Sequence, residues 1–260
     1  MYTFIINADD LGLSEGVNLG IQKSMREGIV KSTSVMINMP EARNGIQLIQ
    51  ELDGNFEINL HLNFTLGKPV TKELEKIATL VDEEGNFLTS SHYKNGGQKK
   101  FDYQEVYIEM ENQIRAYYDS MGCFPPHMET HSVGDSSVGK ALYDLAKKYQ
   151  IHANLFYGYI PEKQLPYREA VIPDFKKLMT VLNRGTELED FVEDSFGYKE
   201  VDNQTIIELH FHPAYIDQYL LDHSTLTYPR CKDLETLSAE KCKVWFEQTN
   251  SKIITFSELN

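Results

Sequence analysis

Four clusters of residues able to bind a cation or move a proton punctuate this chain of 260 residues. They are Asn7-Ala8-Asp9-Asp10, Asn59-Leu60-His61-Leu62-Asn63, His127-Met128-Glu129-Thr130-His131 and His210-Phe211-His212-Pro213. One carboxylate and two neutral imidazoles make a ligand set for a divalent cation, with positions left for water and substrate. A second carboxylate beside such a set can serve as general base, and a further histidine as general acid. Each cluster alone has a plainer reading. Adjacent aspartates solvate a turn or favour a following helix N-terminus, and a strand-end histidine is commonly just a hydrogen-bonding residue. Their meaning depends on whether the fold gathers them.

The elements that must position them follow from periodicity. Short apolar, β-rich runs alternate with amphipathic stretches of helical period. Strands are expected at Tyr2–Ile6, Ser32–Asn38, Phe56–Leu62, His127–His131, Ile151–Phe156, Thr205–Phe211 and Lys252–Phe256. The first helix is capped by Ser14, carries Val17, Ile21 and Met25 on one face, and stops at Gly28. Further helices are expected over Pro40–Glu51, Phe101–Met121, Val138–Tyr149, Glu187–Phe196 and Asp233–Glu247. Asn7–Leu13 reads as a polar turn, and Tyr157–Gly185 resists assignment. The polar segment Gly67–Lys100, with turn signals at Gly85-Asn86 and Gly96-Gly97, reads as an excursion or loop. Without an internal repeat or a Gly/Ser linker, residues 1–260 are expected to form a single domain. Strand–helix alternation implies parallel strands joined by right-handed crossovers, and this length suits an irregular α/β barrel. In such barrels functional residues line the C-terminal ends of the strands, where all four clusters fall.

Composition narrows the partners. The 25 Lys+Arg against 39 Asp+Glu leave a formal net charge of −14, with no basic run, which argues against nucleic acid and anionic membranes. A hydrophobic fraction of 41% is ordinary for a globular protein, so global disorder is excluded. A chain of this length buries roughly 70–75% of its unfolded surface and needs no disulfide or structural metal to fold. Cys123, Cys231 and Cys242 include no C-x-x-C pair and read as reduced thiols. The N-terminal MYTFIINADD lacks a basic signal region, and no apolar stretch nears the ~20 residues that span a bilayer. The expectation is a soluble, cytoplasmic protein, with a symmetric homodimer as its most common kind of assembly.

Taken together, the motifs NADDLGLSEGVNLGI (7–21), GIVKSTSVMIN (28–38), LHLNFTLGKPV (60–70), PPHMETH (125–131), HPAY (212–215) and YPRCKDLETL (228–237) are specific in this order. The chain resembles the YdjC-like carbohydrate deacetylases, which include the chitin disaccharide deacetylases, over about two-thirds of its length. The resemblance implies a distorted TIM-like (β/α) barrel and metal-dependent hydrolysis of an acetamido sugar in carbohydrate catabolism, releasing acetate. It implies one divalent cation, Mg²⁺ or Zn²⁺, on Asp10, His61 and His131, with Asp9 as catalytic base and His212 assisting the leaving group. Arg230 matches an arginine near the site that would orient Asp9, and Tyr215, with Phe211 and Tyr219, would stack on a sugar ring. One departure stands out. Where the family carries a D-S-H-H-H-type run, this chain reads Glu129-Thr130-His131-Ser132-Val133, with Asp135 in place of a further histidine. Nothing is carried over for residues 154–203.

Two rivals remain at this level. A two-histidine, one-carboxylate set also serves non-haem iron oxygenases, though those generally use an all-β scaffold. A non-catalytic sugar-binding or regulatory protein on a degenerate deacetylase scaffold would account for the altered histidine run, but would require neither base nor acid.

Overall fold

The first strand runs on through Leu11, where the sequence suggests a turn after Ile6, because Asn7 and Asp9 find partners inside the sheet. The computed structural model describes residues 1–93, 100–154, 156–163, 165 and 170–259. The Gly96-Gly97 turn signal and residue 155 of the expected fifth strand therefore lie outside the described residues. In chain order the first elements are β1 (Thr3–Leu11), α1 (Glu15–Glu27), β2 (Ser32–Val35), α2 (Ala42–Gln50) and β3 (Glu57–Leu62). Then come α3 (Tyr103–Met121), β4 (Met128–Thr130), α4 (Ser136–Tyr149), β5 (Ala170–Val171), α5 (Phe175–Arg184) and α6 (Leu188–Val192). The last are β6 (Ile206–Phe211), α7 (Gln218–His223), α8 (Tyr228–Ser238), α9 (Glu240–Gln248) and β7 (Lys252–Ile253). Parallel strands alternate with helices, the α/β, TIM-like class expected.

The chain divides into two compact units, each assembled from separated stretches. The first comprises Met1–Val35, Pro40–Ile58 and the described residues of Arg168–Asn260. Its parallel strands follow the order β3-β2-β1-β6-β5, with β7 also on β1. In β1 and β6, alternate side chains divide the two faces of the sheet. Phe4 and Phe211 belong to the helix-covered face, where they join Phe191, Phe196, Tyr198 and Phe246 in an aromatic core with ring centroids 5.1–6.0 Å apart. The opposite face is apolar only at its base, where Ile5, Ala170, Ile206, Ile254, Phe256 and Leu259 cluster. Glu57 fixes the C-terminal part of that base by accepting from the backbone N–H groups of Phe256 (2.9 Å) and Ser257 (3.0 Å). Above it the same face becomes polar, with Asn7, Asp9, Glu208 and His210. Parallel strands covered on both faces usually read as continuous apolar runs, so a buried polar layer marks this face as special.

The second unit comprises Met36–Met39 and the described residues of Asn59–Tyr167. The end of β3 pairs with β4 in it, and α3 and α4 cover apolar side chains such as Leu60, Met128, Met110 and Leu142. Asp102 and Asp135 cap the two helices, each accepting two backbone N–H bonds. Asp135, where the resemblance leads one to expect a further histidine, thus has a structural duty at the start of α4.

Several expected elements differ, each for a local reason. Among the described residues of 151–156 the chain makes an isolated parallel bridge, His127 to His152, and toward Ile151 the ladder cannot continue because Pro125 and Pro126 offer no N–H. The helix expected over Asp233–Glu247 is two helices: Ala239 is extended (φ −76°, ψ 136°), and the Leu237 carbonyl accepts from Ile29 N–H instead. The helix at 187–196 ends early, with Asp194 at φ 65° and Gly197 at φ 81°. Within the unassigned stretch lie β5 and α5, the latter capped by Asp174.

Candidate active site

In the first unit the site is built on an irregularity of β1. Ala8 pairs with Thr33 of β2 but Leu11 with Val35, so β1 carries one extra residue between these points. Asp10 absorbs it with φ 73°, in the left-handed region. Successive strand residues normally face opposite ways, and a bulge re-aims them. Here both aspartates turn to one histidine: His212 Nε2 lies 3.9 Å from Asp9 Oδ2 and 4.0 Å from Asp10 Oδ2.

Each member is fixed by a different partner. Asp9 Oδ1 accepts from Asn7 Nδ2 at 2.7 Å, and Asn7 also donates to Ser34 Oγ at 2.8 Å. His210 Nδ1 lies 2.9 Å from Asp9 Oδ1, while its Nε2 lies 2.7 Å from Glu208 Oε1. Burial alone would lower the His210 pKa, but the carboxylates of Asp9 and Glu208 outweigh it and raise the value well above the ordinary imidazole range. Asp10 Oδ2 accepts from Arg230 Nη2 at 2.7 Å, and Arg230 Nε donates to the Leu226 carbonyl at 2.8 Å. Arg230 is buried on α8, so this ion pair is shielded from solvent. The end of β6 is anchored by Asp233, which accepts from His212 N–H (2.9 Å) and Thr186 N–H (2.8 Å). Burial raises the Asp233 pKa against those bonds. On the other side of this strand end, Gly20 of α1 leaves no room for a side chain, since a Cβ would stand 2.5 Å from Ala214 Cα.

The second unit holds a pair of imidazoles of its own. His61 on β3 places Nδ1 2.8 Å from Glu129 Oε1, and Glu129 Oε2 lies 2.9 Å from His127 Nε2. Burial would raise the Glu129 pKa, but the bonds from His127 and His61 hold it far below the usual carboxylate range. An ionised carboxylate only accepts, so His61 Nδ1 is the donor, and Nε2 is the nitrogen turned toward His131. That Nε2 lies 3.3 Å from His131 Nδ1, with the two rings nearly perpendicular at 79°. Two imidazole nitrogens bound at the usual 2.0–2.1 Å to one tetrahedral cation stand about 3.3 Å apart. A carboxylate on the far nitrogen of a ligating histidine is the usual support for such a ligand. The loop after β3 is tied to α3: Gln113 bonds both backbone groups of Asn63, and Glu109 accepts from Val70 and Thr71 N–H at 3.0 Å.

Among the residues singled out from sequence, Asp9, Asp10, His212 and Arg230 come together in the first unit, and His61 and His131 in the second. Arg230 bonds Asp10 rather than orienting Asp9. Tyr215 is 45% exposed, its backbone N–H bonded to Gly16. Phe211 does not face these groups but packs in the aromatic core, and Tyr219 stacks on His223 at 4.0 Å. Asn7, Glu208, His210 and His127 take part without having been assigned roles from sequence. Their signal is the two-residue spacing that puts 208, 210 and 212 on one strand face.

The sequence pattern of the family described as YdjC-like protein matches residues 3–248. The chain belongs to the YdjC-like family. Its curated relatives include a carbohydrate deacetylase of Clostridium beijerinckii, 30% identical over 98% of this YdjC-like chain and 99% of the relative. Another, from Halalkalibacterium halodurans, is 30% identical over 91% of the chain and 95% of the relative and is also named carbohydrate deacetylase. Among solved structures, a proposed cellobiose-phosphate cleavage protein of Enterococcus faecalis V583 superposes with a TM-score of 0.78 at 25% identity, covering 99% and 98% of the two chains. A mutant CE4 family pseudoenzyme matches with a TM-score of 0.51 at 10% identity over 99% of this chain and 66% of its own, a likeness of fold alone.

Proposed function

We propose that this YdjC-like protein is a divalent-metal-dependent carbohydrate deacetylase that hydrolyses the acetamide of an N-acetylated sugar to acetate and a free amine. The observation that carries the reading is the pair of imidazole nitrogens 3.3 Å apart, one of them oriented by Glu129. The two relatives named carbohydrate deacetylase supply the substrate class. Asp10, His61 and His131 are the residues that would hold the cation, a carboxylate with two imidazoles, which suits Zn²⁺ and is compatible with Mg²⁺. When bound, such a cation polarises the acetyl carbonyl and acidifies a coordinated water.

The remaining chemistry falls to the chain itself. Asp9, held by Asn7, takes the proton of the attacking water as its oxygen bonds to the acetyl carbon. His212 gives a proton to the sugar nitrogen as the C–N bond breaks, so that the amine leaves neutral. Its Nε2 lies within 4.0 Å of a carboxylate oxygen of each aspartate. Arg230 neutralises Asp10 and fixes its carboxylate. The reading further takes the whole chain as one functional domain working in the cytoplasm on a small, uncharged or modestly charged acetylated sugar, as monomer or homodimer. Among the described residues no helix is long and apolar enough to cross a membrane.

Acetate release from a panel of N-acetylated mono- and disaccharides, with and without Mg²⁺ or Zn²⁺, tests the activity. His61→Ala and His131→Ala should each abolish bound metal and acetate release together. Retention of both properties would overturn the ligand assignment, and tight sugar binding without turnover would instead identify a binding protein.

A further inference from the structure

The polar layer contains an arrangement that the reaction above does not use. His210 lies between two carboxylates, Nδ1 on Asp9 and Nε2 on Glu208, with Glu208 fully buried and His210 nearly so. Each ring nitrogen lies within hydrogen-bond distance of a carboxylate oxygen, the geometry of a ring that carries a hydrogen on both nitrogens and donates on both sides. A histidine serving only to fill space would be poorly chosen here, because removing three ionisable groups from water is costly and an apolar side chain avoids it. The backbone makes the arrangement possible: Glu208 and His210 are two residues apart on β6, and His210 stands opposite Asn7 in register.

Resting on the deacetylase reading, we propose that His210, backed by Glu208, is a positioning residue for the base Asp9, and that it selects Oδ2 as the oxygen that takes the proton. Asp9 Oδ1 receives donors from two sides, Asn7 Nδ2 at 2.7 Å and His210 Nδ1 at 2.9 Å, which exhausts its natural acceptor directions. Oδ2, at 3.2 Å from His210, is the oxygen nearer His212, at 3.9 Å. A carboxylate held by one donor can swing about Cβ–Cγ, whereas two donors on one oxygen, one of them shared with the other oxygen, fix its plane. Glu208 in turn fixes the imidazole, since a ring bonded at both nitrogens cannot flip. The device thus runs from a buried carboxylate, through a cationic ring, to the base.

The test compares His210→Leu with His210→Asn in the metal-loaded protein, on whichever panel sugar the unaltered protein deacetylates. Asn places its amide N–H where Nδ1 was, while Leu offers no donor. His210→Leu should lower kcat by about a hundredfold, the usual scale of a misplaced catalytic group, with KM and metal content nearly unchanged. His210→Asn should recover at least about tenfold of that loss. A kcat for His210→Leu near that of the unaltered protein, or equal losses in the two variants, would overturn the positioning role. A second measurement does not depend on turnover. In ¹⁵N-histidine-labelled protein holding Zn²⁺, the His210 ring should show two N–H resonances, both absent in His210→Asn; a single resonance would refute the two-carboxylate arrangement. If the unaltered protein deacetylates no sugar while both resonances are present, the deacetylase reading fails and the His210 arrangement stands. Turnover that is indifferent to His210→Leu has the reverse meaning: the deacetylase reading stands and the positioning role fails.

Discussion

Asp10 combines two demands that conflict in most residues. Its backbone occupies the left-handed region, which costs an ordinary L-residue roughly 1–2 kcal/mol and which Asp and Asn tolerate better than most. Its carboxylate is meanwhile buried against Arg230, at 2.7 Å. Breaking such a pair from one side takes the guanidinium away from a buried carboxylate. Arg230→Ala should therefore destabilise the protein by about 3–5 kcal/mol in urea unfolding, far more than a typical exposed ion pair is worth. A loss under about 1 kcal/mol would mean that water reaches Asp10 and that the pair is not buried in solution. Asp10→Asn is the cleaner probe of the carboxylate, because it keeps the backbone preference that Asp10→Ala would also remove.

Asp217 shows how the elements around the site are joined. It caps α7 by accepting from Leu220 N–H at 2.8 Å, and it accepts from Gly16 N–H of α1 at 2.7 Å. Burial would raise its pKa, but these backbone bonds and one from Ser14 outweigh that and lower it below the ordinary value of 3.8. A carboxyl with a lowered folded-state pKa stabilises above its unfolded pKa and loses that contribution as pH falls through the folded value. Asp217→Ala should thus cost about 1–2 kcal/mol near neutral pH, with the difference in melting temperature shrinking below pH 3.8. A difference that stays constant with pH would show that the charge is not what matters. Much of this scale is legible in the sequence. The helix capped by Ser14 and the strands around β2, β3 and β6 follow from caps and apolar runs, which are local properties. The break at Ala239 is not, because it depends on the Leu237 carbonyl bonding Ile29, more than two hundred residues away in sequence. The bulge in β1 is hidden for a similar reason. NADD reads as a turn by composition, and only pairing with β2 reveals an extra residue in a continuing strand. Adjacent Asp9 and Asp10 stand out as chemistry-bearing residues, yet alternation alone would send them to opposite faces.

At the scale of the whole molecule, charge and chain order dominate. A formal charge of −14 makes the folded state repel itself, and salt relieves such repulsion. Raising ionic strength from about 0.01 to 0.1 M should therefore raise the melting temperature. A fall would show that attractive surface pairs such as Lys148–Glu111 outweigh the net repulsion. The apolar base beneath Asn7 and Glu208 joins Ile5, from the first strand, to Ile254, Phe256 and Leu259. Translation delivers these partners at opposite ends of the synthesis of this sequence. While the ribosome is still at work, β1 can recruit β2 early and β6 late, but the floor under its polar layer is missing until residue 259 has emerged. Long-range closure of this kind slows folding and leaves apolar surface exposed meanwhile. The nascent chain therefore carries β1 without this floor through the more than two hundred residues that separate Ile5 from Ile254, so a product cut short within that span has Asp9 and Asp10 in its sequence but nothing packed beneath them.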